Sequence, residues 1–162
     1  MLLINHVLSG ALIGALARRP ASAFAAGVAS HFVLDAIPHW GDWGSQRRFM
    51  RVAVPDGLVS LAVMGALTAA APPERRAAML AGMAGAALPD ADKPAKMWLG
   101  RSPFPAAFDR FHSRIQDESF QRVPVELAAA GLLGATALIA IRRARVLTAD
   151  SAGRPGRRDR RG

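Results

Sequence analysis

The sequence predicts an all-α, membrane-associated bundle of about five to six helices. Hydrophobic residues make up 51% of the chain, and Ala, Leu and Val dominate them, with 15 Gly residues beside them. Runs of β-branched residues, which favour strands, are missing. Small residues let helices approach each other closely, as they do in membranes. At 162 residues the chain has the size of one domain.

Composition also excludes several kinds of site. The chain has no Cys, so it carries no disulfide framework, thiolate zinc site or cysteine nucleophile. The net charge of +9 is large, but the basic residues lie mainly in turns between helices and in the C-terminal tail. They do not alternate with aromatic residues, so we expect no nucleic-acid partner. This charge placement is typical of a protein that contacts membrane lipid.

The first predicted unit is a helical hairpin over residues 2–39. Residues 2–17 are an apolar helix in which Gly10 and Gly14 form a face for close packing. After a basic turn with a proline, the second helix runs over residues 22–35.

The second predicted unit is a hairpin over residues 56–92. Asp56 stands at a natural N-cap position for a helix over 56–70, and a Pro-Pro turn leads to a helix over 74–88. The two hairpins resemble an internal repeat. In sequence, residues 25–38 align with residues 80–93, and residues 9–16 align with residues 60–67.

The C-terminal third contains a predicted membrane anchor. Residues 94–108 read as a proline-containing loop, 109–122 as an amphipathic helix and 123–141 as an apolar anchor helix. An Arg-, Gly- and Asp-rich tail over 148–162 is expected to be disordered, which leaves a helical domain over 1–147. The earlier helices, at ~1.5 Å per residue, reach only ~24 Å against a ~30 Å bilayer core. A partly embedded bundle with one anchor and a bundle with five spans both fit.

The second helix carries the strongest chemical signal. His31 and Asp35 are four residues apart, so on a helix they share one face. Pro38 stops the helix, and we expect His39 to fold back over the same face. Imidazole and carboxylate ligands suit a divalent metal, with zinc expected and manganese or iron as alternatives. The other interpretation is a buried His–Asp pair that caps the helix end.

Antiparallel pairing would gather further polar residues at one end of the bundle. The start of the first helix in a hairpin lies beside the end of the second, and bundles build metal sites from such inward-facing groups. The expected metal ligands are His6, His31, Asp35, Asp56, Asp90 and Asp92. The expected catalytic residues, as further ligands or proton shuttles, are His39 and His112.

Each weaker assignment has a structural alternative. Asp56 could only cap its helix, and Asp90 and Asp92 could cap a turn after Pro89. His112 could pair with a nearby carboxylate on the surface.

Four short segments carry a resemblance to a known family. They are His6, Ser30-His31-x3-Asp35, Leu88-Pro89-Asp90-x-Asp92 and His112-Ser113. Together they resemble LexA-binding, inner-membrane-associated proteins classed as metal-dependent hydrolases. The His31 helix is also similar to helices of zinc-dependent phospholipases C and single-strand nucleases. Lys93 stands where the family often has His, and Phe111 replaces a Thr.

The resemblance implies a hydrolase associated with the inner or plasma membrane of the cell, and two function classes remain open. The first is a metal-dependent hydrolase that acts on a phosphoester or a lipid-like substrate. The second is a non-enzymatic membrane protein, either a scaffold or a metal-binding or transport component. An open coordination position favours the first. Carboxylates that pair only with Arg47, Arg48 or Lys93 favour the second.

Overall fold

The structure, a computed structural model, describes residues 1–41 and 44–152, and its side chains as far as residue 148. Helices dominate these residues, which confirms the expected all-α bundle. The helices are α1 Leu3–Leu16, α2 Pro20–Asp35, α3 Gln46–Ala70, α4 Pro73–Ala87, α5 Asp92–Leu99, α6 Ala106–Ile115 and α7 Val123–Ala152. A 3-10 turn, Leu88–Ala91, joins α4 to α5, and another, Phe120–Arg122, precedes α7.

Helix α4 lies at the centre of the bundle. It packs along both α1 and α2, while α3 and α7 flank α1. Met79 and Met83 of α4 are fully buried against Val7 and Ala11 of α1. The core is therefore built where one central helix crosses two others.

Glycines set how closely these helices approach. A Cβ atom at Gly10 or at Gly27 would collide with the backbone carbonyl of Gly82, and one at Gly14 would collide with the backbone of Met79. Helices α1 and α2 thus both meet α4 backbone to backbone. The close-packing face that Gly10 and Gly14 predict is present, with α4 as its partner.

Helix α3 begins ten residues earlier than the sequence predicted. Ser45 is its N-cap and accepts a hydrogen bond from the Arg48 N–H at 3.4 Å. Pro55 lies inside the helix, where it removes one backbone hydrogen bond without ending the helix. Asp56 is therefore in the middle of α3, and its assignment as the N-cap of this helix is wrong.

The C-terminal elements also differ from the expected bounds. The expected loop over 94–108 contains most of α5 and the start of α6. Helix α6 ends at Ile115, well before the expected residue 122, because the chain turns into an extended segment at Gln116. Helix α7 continues through Ala152, so the first part of the expected disordered tail is helical, and 153–162 lie outside the described residues.

Within residues 1–41 and 44–152, two segments are long and apolar enough to cross a membrane, by length and composition. They are Gln46–Ala70, with a mean hydropathy of 1.7, and Phe120–Thr148, with a mean hydropathy of 1.8. At ~1.5 Å per residue, α3 reaches ~37 Å, which exceeds the ~30 Å bilayer core. Large apolar side chains such as Leu61 and Leu132 point outward from these segments, at 65% and 68% exposure.

The bundle has two chemically different ends. At one end, here called the site pole, carboxylates from α3 and α7 contact the start of α1. At the other, the basic pole, Arg75 donates to the Ala17 carbonyl at 2.7 Å and Arg145 donates to the Ala70 carbonyl. These arginines satisfy carbonyl groups at the C-terminal ends of α1 and α3.

Candidate metal centre

Four side chains of ligand type meet at the site pole. They are His31 and Asp35 on the last turns of α2, Asp90 in the 3-10 turn after α4, and His112 on α6. One ligand atom from each lies within 4.8 Å of the others. The side chains of His31, Asp35 and His112 are buried, while that of Asp90 is partly exposed. We call these residues the four-residue group.

The distances within the four-residue group lie on either side of the ligand spacing of a metal site. His31 Nε2 lies 2.9 Å from His112 Nε2, and Asp35 Oδ2 lies 3.1 Å and 2.9 Å from these two nitrogens. Asp90 Oδ1 lies 3.8 Å from both of them. Tetrahedral ligands at ~2.0–2.1 Å from zinc are ~3.3 Å apart, so the observed distances bracket that value. The donor set fits one divalent cation.

A backbone carbonyl fixes the ring of His31. His31 Nδ1 lies 2.8 Å from the Ala86 carbonyl oxygen, near the end of α4. Because a carbonyl only accepts, Nδ1 carries a hydrogen, and Nε2 is the ring nitrogen that faces His112. Two imidazole nitrogens 2.9 Å apart need a proton or a cation between them. The arrangement is the one that metal-binding histidines adopt.

The two oxygens of Asp35 face different partners. Oδ2 faces the four-residue group and accepts a hydrogen bond from Gln116 Nε2 at 2.9 Å. Oδ1 accepts from the α-amino group of Met1 at 2.9 Å and lies 3.1 Å from His6 Nε2. One oxygen is thus available to a metal, and the other orients the carboxylate.

The surroundings of Asp35 keep it ionised. Its burial on its own would raise the pKa of this carboxyl. The imidazole rings of His112, His31 and His6 around the carboxylate outweigh the burial and hold the pKa of Asp35 well below its usual range. Asp35 is therefore present as the carboxylate that metal binding requires.

His6 contacts the four-residue group from its buried side. Its ring stacks on the ring of His31, with centroids 4.0 Å apart and an interplanar angle of 22°. Burial lowers the pKa of His6 to about 4, in spite of the nearby Asp35 carboxylate. The structure places this expected ligand on the far oxygen of Asp35, where supporting residues of metal sites lie.

Lys93 closes the solvent side of the group. Its ammonium bonds Asp90 Oδ1. Burial would raise the pKa of Asp90, but the charges of Lys93, His6 and His31 outweigh it and lower the pKa to about 2. The side chains of Asp90 and Lys93 are 14% and 34% exposed, so they form the open edge of an otherwise buried site.

Asp56 and Asp92 have other partners. Asp56 accepts hydrogen bonds from the N–H groups of Leu3 at 2.7 Å and Ile4 at 3.2 Å, so it caps α1 rather than its own helix. Because α3 begins well before Asp56, this residue lies inside α3, at a position beside the start of α1. Asp92 Oδ2 bonds Lys96 Nζ at 2.8 Å.

His39 does not fold back over α2. After Pro38 the chain runs beside residues 117–119, where His39 and Glu118 form an isolated parallel bridge. His39 Nδ1 lies 2.7 Å from the Ile37 carbonyl, and Nε2 lies 3.6 Å from Glu118 Oε1. The structure therefore places this expected catalytic residue outside the four-residue group.

Another buried carboxylate, that of Glu126, anchors the start of α1. It accepts hydrogen bonds from the N–H groups of Leu2 at 3.2 Å and Trp40 at 3.3 Å, and from the side-chain amide of Asn5. Together with Asp56 it satisfies N–H groups at the positive end of the α1 dipole. These contacts fix the helix that carries His6.

Helices α5 and α6 are tied together beside the site. Lys96 on α5 bonds Asp92 and also Asp109 on α6, the latter at 3.1 Å. Asp109 also accepts a hydrogen bond from Ser102 at 2.9 Å.

His112 lies on the buried side of α6. Its side chain is 3% exposed and faces Asp35. The alternative of a surface pair for His112 is therefore wrong.

Two contributors to the site were not assigned to it from the sequence. The four-residue spacing of His112 and Gln116 predicts one shared helix face; in the structure α6 ends at Ile115, and Gln116 reaches Asp35 from the position that follows the helix. The Ala86 carbonyl left no signal, since every residue carries one.

No family model, curated protein or solved structure matches the chain. The resemblance to LexA-binding, membrane-associated hydrolases stays a prediction, and function rests on the geometry of the site.

Proposed function

We propose that the protein is a metal-dependent hydrolase of the cell membrane that acts on phosphoesters. In this proposal the four-residue group holds one divalent metal ion, with zinc expected and manganese or iron as alternatives. The supporting observation is the pair of imidazole nitrogens of His31 and His112, which face each other at 2.9 Å beside two carboxylates. Two imidazoles with carboxylates are a ligand set that these metals accept.

In this proposal the buried side of the site holds the metal ion, and its partly exposed side admits the substrate. A bound divalent cation supplies a more acidic water and a positive charge for a phosphoryl oxygen. His31, His112 and Asp35 hold their positions from the buried side, where Gln116 orients the Asp35 carboxylate. Asp90 forms the partly exposed side, so substrate arrives there.

The position of the site favours a substrate at the membrane boundary. Helices α3 and α7 are the candidate spans, and their contacts with the start of α1 lie at the site pole. Beside that pole, α5, α6 and the turn before α7 expose large apolar side chains, among them Trp98 at 75%, Leu99 at 73% and Phe120 at 60%. Such side chains suit the region between headgroups and water, so a lipid-like phosphoester fits this location.

The alternative is a non-enzymatic membrane protein, a scaffold or a metal-binding or transport component. One observation favours it: the carboxylates at the site already have cationic partners. Asp90 pairs with Lys93, Asp92 with Lys96, and Asp35 with the Met1 amine. In this alternative the polar group is a closed structural network.

An activity measurement separates the two. The protein is purified in detergent, stripped with a chelator and reloaded with zinc or manganese. It is then assayed with a chromogenic phosphomonoester, a phosphodiester and a short-chain phosphatidic acid. We expect hydrolysis only after reloading, and a loss of about hundredfold or more in His112→Ala. Glu74→Ala, which changes an exposed carboxylate at the basic pole, serves as the control and keeps the activity.

Metal that binds without any hydrolysis of these substrates would contradict the hydrolase proposal and support the non-enzymatic alternative. Equal hydrolysis by the stripped and the reloaded protein would contradict a role for the metal.

A further inference from the structure

We propose that Lys93 takes the place of a second metal ion and binds a phosphate oxygen of the substrate. The inference rests on the proposed function, because it assigns the substrate-facing charge of the same site. It predicts a centre with one metal and a substrate that presents a phosphate group, either free or as a lipid headgroup.

The first support is the shared oxygen of Asp90. Its Oδ1 atom is bonded by the Lys93 ammonium and lies 3.8 Å from the Nε2 atoms of His31 and His112. In two-metal hydrolases a ligand commonly bridges cations that lie ~3.5–4 Å apart. Here the carboxylate has the imidazole pair on one side and an ammonium on the other. A fixed positive charge already stands beside the single metal site.

The second support is the supply of ligands around Lys93. A second metal would need Asp90 together with Asp92, and each of these carboxylates already bonds a lysine. Asp92 Oδ2 bonds Lys96 Nζ at 2.8 Å. A lysine thus lies beside each carboxylate that a second cation would require, although Asp92 Oδ1 itself has no hydrogen-bond partner among the described residues.

The third support is access. The Lys93 side chain is 34% exposed, whereas the side chain of His31 is fully buried, so the ammonium lies between solvent and the four-residue group. An ammonium has three donors, and the bond to Asp90 uses one of them. The others are free to bind phosphoryl oxygens, as lysines do in phosphate sites. A neutral ester or amide offers no comparable anionic partner.

The test measures metal number and phosphate affinity in the same preparations. Zinc content is determined by elemental analysis for the wild type, Lys93→Met, Lys93→Arg and Lys96→Met. Binding of inorganic phosphate and of dioctanoyl phosphatidic acid to the zinc-loaded proteins is then measured by calorimetry. Lys96→Met is the matched control, because it removes an ammonium that bonds Asp92 and Asp109 but not Asp90.

We expect one zinc per chain in the wild type and in Lys93→Met, which also shows that the variant is folded. We expect Lys93→Met to bind phosphate about tenfold or more weakly, since a charge-assisted hydrogen bond is lost. Lys93→Arg restores most of the affinity, and Lys96→Met keeps it. Tighter binding of phosphatidic acid than of inorganic phosphate would assign the phosphate to a lipid headgroup, and the reverse would assign it to a soluble phosphate compound.

Two results would overturn this inference alone: two zinc ions in the wild type, or unchanged phosphate affinity in Lys93→Met. A wild type that binds no metal would instead overturn the proposed metal centre, and this inference with it.

Discussion

Asp35→Asn is expected to lower the affinity for zinc by about hundredfold or more, because loss of a supporting residue alone costs 10–100-fold. The substitution keeps the shape of the side chain but removes its charge. Oδ2 then no longer offers a carboxylate ligand beside His31 and His112. At the same time the α-amino group of Met1 and the ring of His6 lose their anionic partner at Oδ1.

The measurement is a competition titration with a chromogenic zinc chelator in detergent. Asp109→Asn is the matched control, because Asp109 lies on α6 near His112 but bonds Lys96 and Ser102. We expect it to retain the zinc affinity of the wild type. Equal zinc affinity in Asp35→Asn and the wild type would show that the metal binds elsewhere.

Glu126→Ala is expected to lower the free energy of unfolding by about 3–5 kcal/mol. Glu126 is 2% exposed, and its removal takes a carboxylate acceptor away from three buried or partly buried donors. These donors are the N–H groups of Leu2 and Trp40 and the side-chain amide of Asn5. Because they include the start of α1, we expect this helix to lose its fixed position first.

Unfolding of this variant is followed by circular dichroism in a detergent series or by thermal denaturation. Glu126→Gln keeps a carbonyl acceptor and should lie between the wild type and Glu126→Ala. Glu74→Ala removes an exposed glutamate at the start of α4 and should change stability little. If Glu126→Ala and Glu74→Ala destabilise the protein equally, the anchoring role of Glu126 is wrong.

The part of the site that the sequence could predict follows local rules. The spacing of His31 and Asp35 places both on one helix face, and the structure has them there. The proximity of His6 to this pair follows from antiparallel pairing of α1 and α2. Asp90 joins them because the central helix α4 ends at the same pole. Local spacing and hairpin geometry were sufficient for these residues.

The errors arise where a local rule competes with tertiary packing. Pro55 is a helix breaker by propensity, yet α3 runs through it because one lost hydrogen bond costs less than ending a long apolar helix. This extension turned Asp56 from an expected ligand into the cap of α1. His39 was expected over α2, but its backbone pairs with residues 117–119, a contact between distant segments that spacing does not reveal.

The extension of α3 also changes the membrane prediction. A helix over 56–70 is too short to cross a bilayer, whereas Gln46–Ala70 is long and apolar enough. The sequence allowed either one anchor helix at 123–141 or five spans, and the structure has two candidate spans, α3 and α7. The difference arises from the length of α3. The proline inside this helix made its length difficult to predict from the sequence.

The most direct test of the account is the metal content of four variants, each with one histidine replaced by alanine. Elemental analysis of purified, zinc-loaded protein should find about one zinc in the wild type and in His39→Ala, as a four-ligand site without His39 requires. It should find zinc lost in His31→Ala and His112→Ala, and bound more weakly in His6→Ala. Zinc absent from the wild type, or retained in His31→Ala and His112→Ala, would contradict a metal centre at the four-residue group.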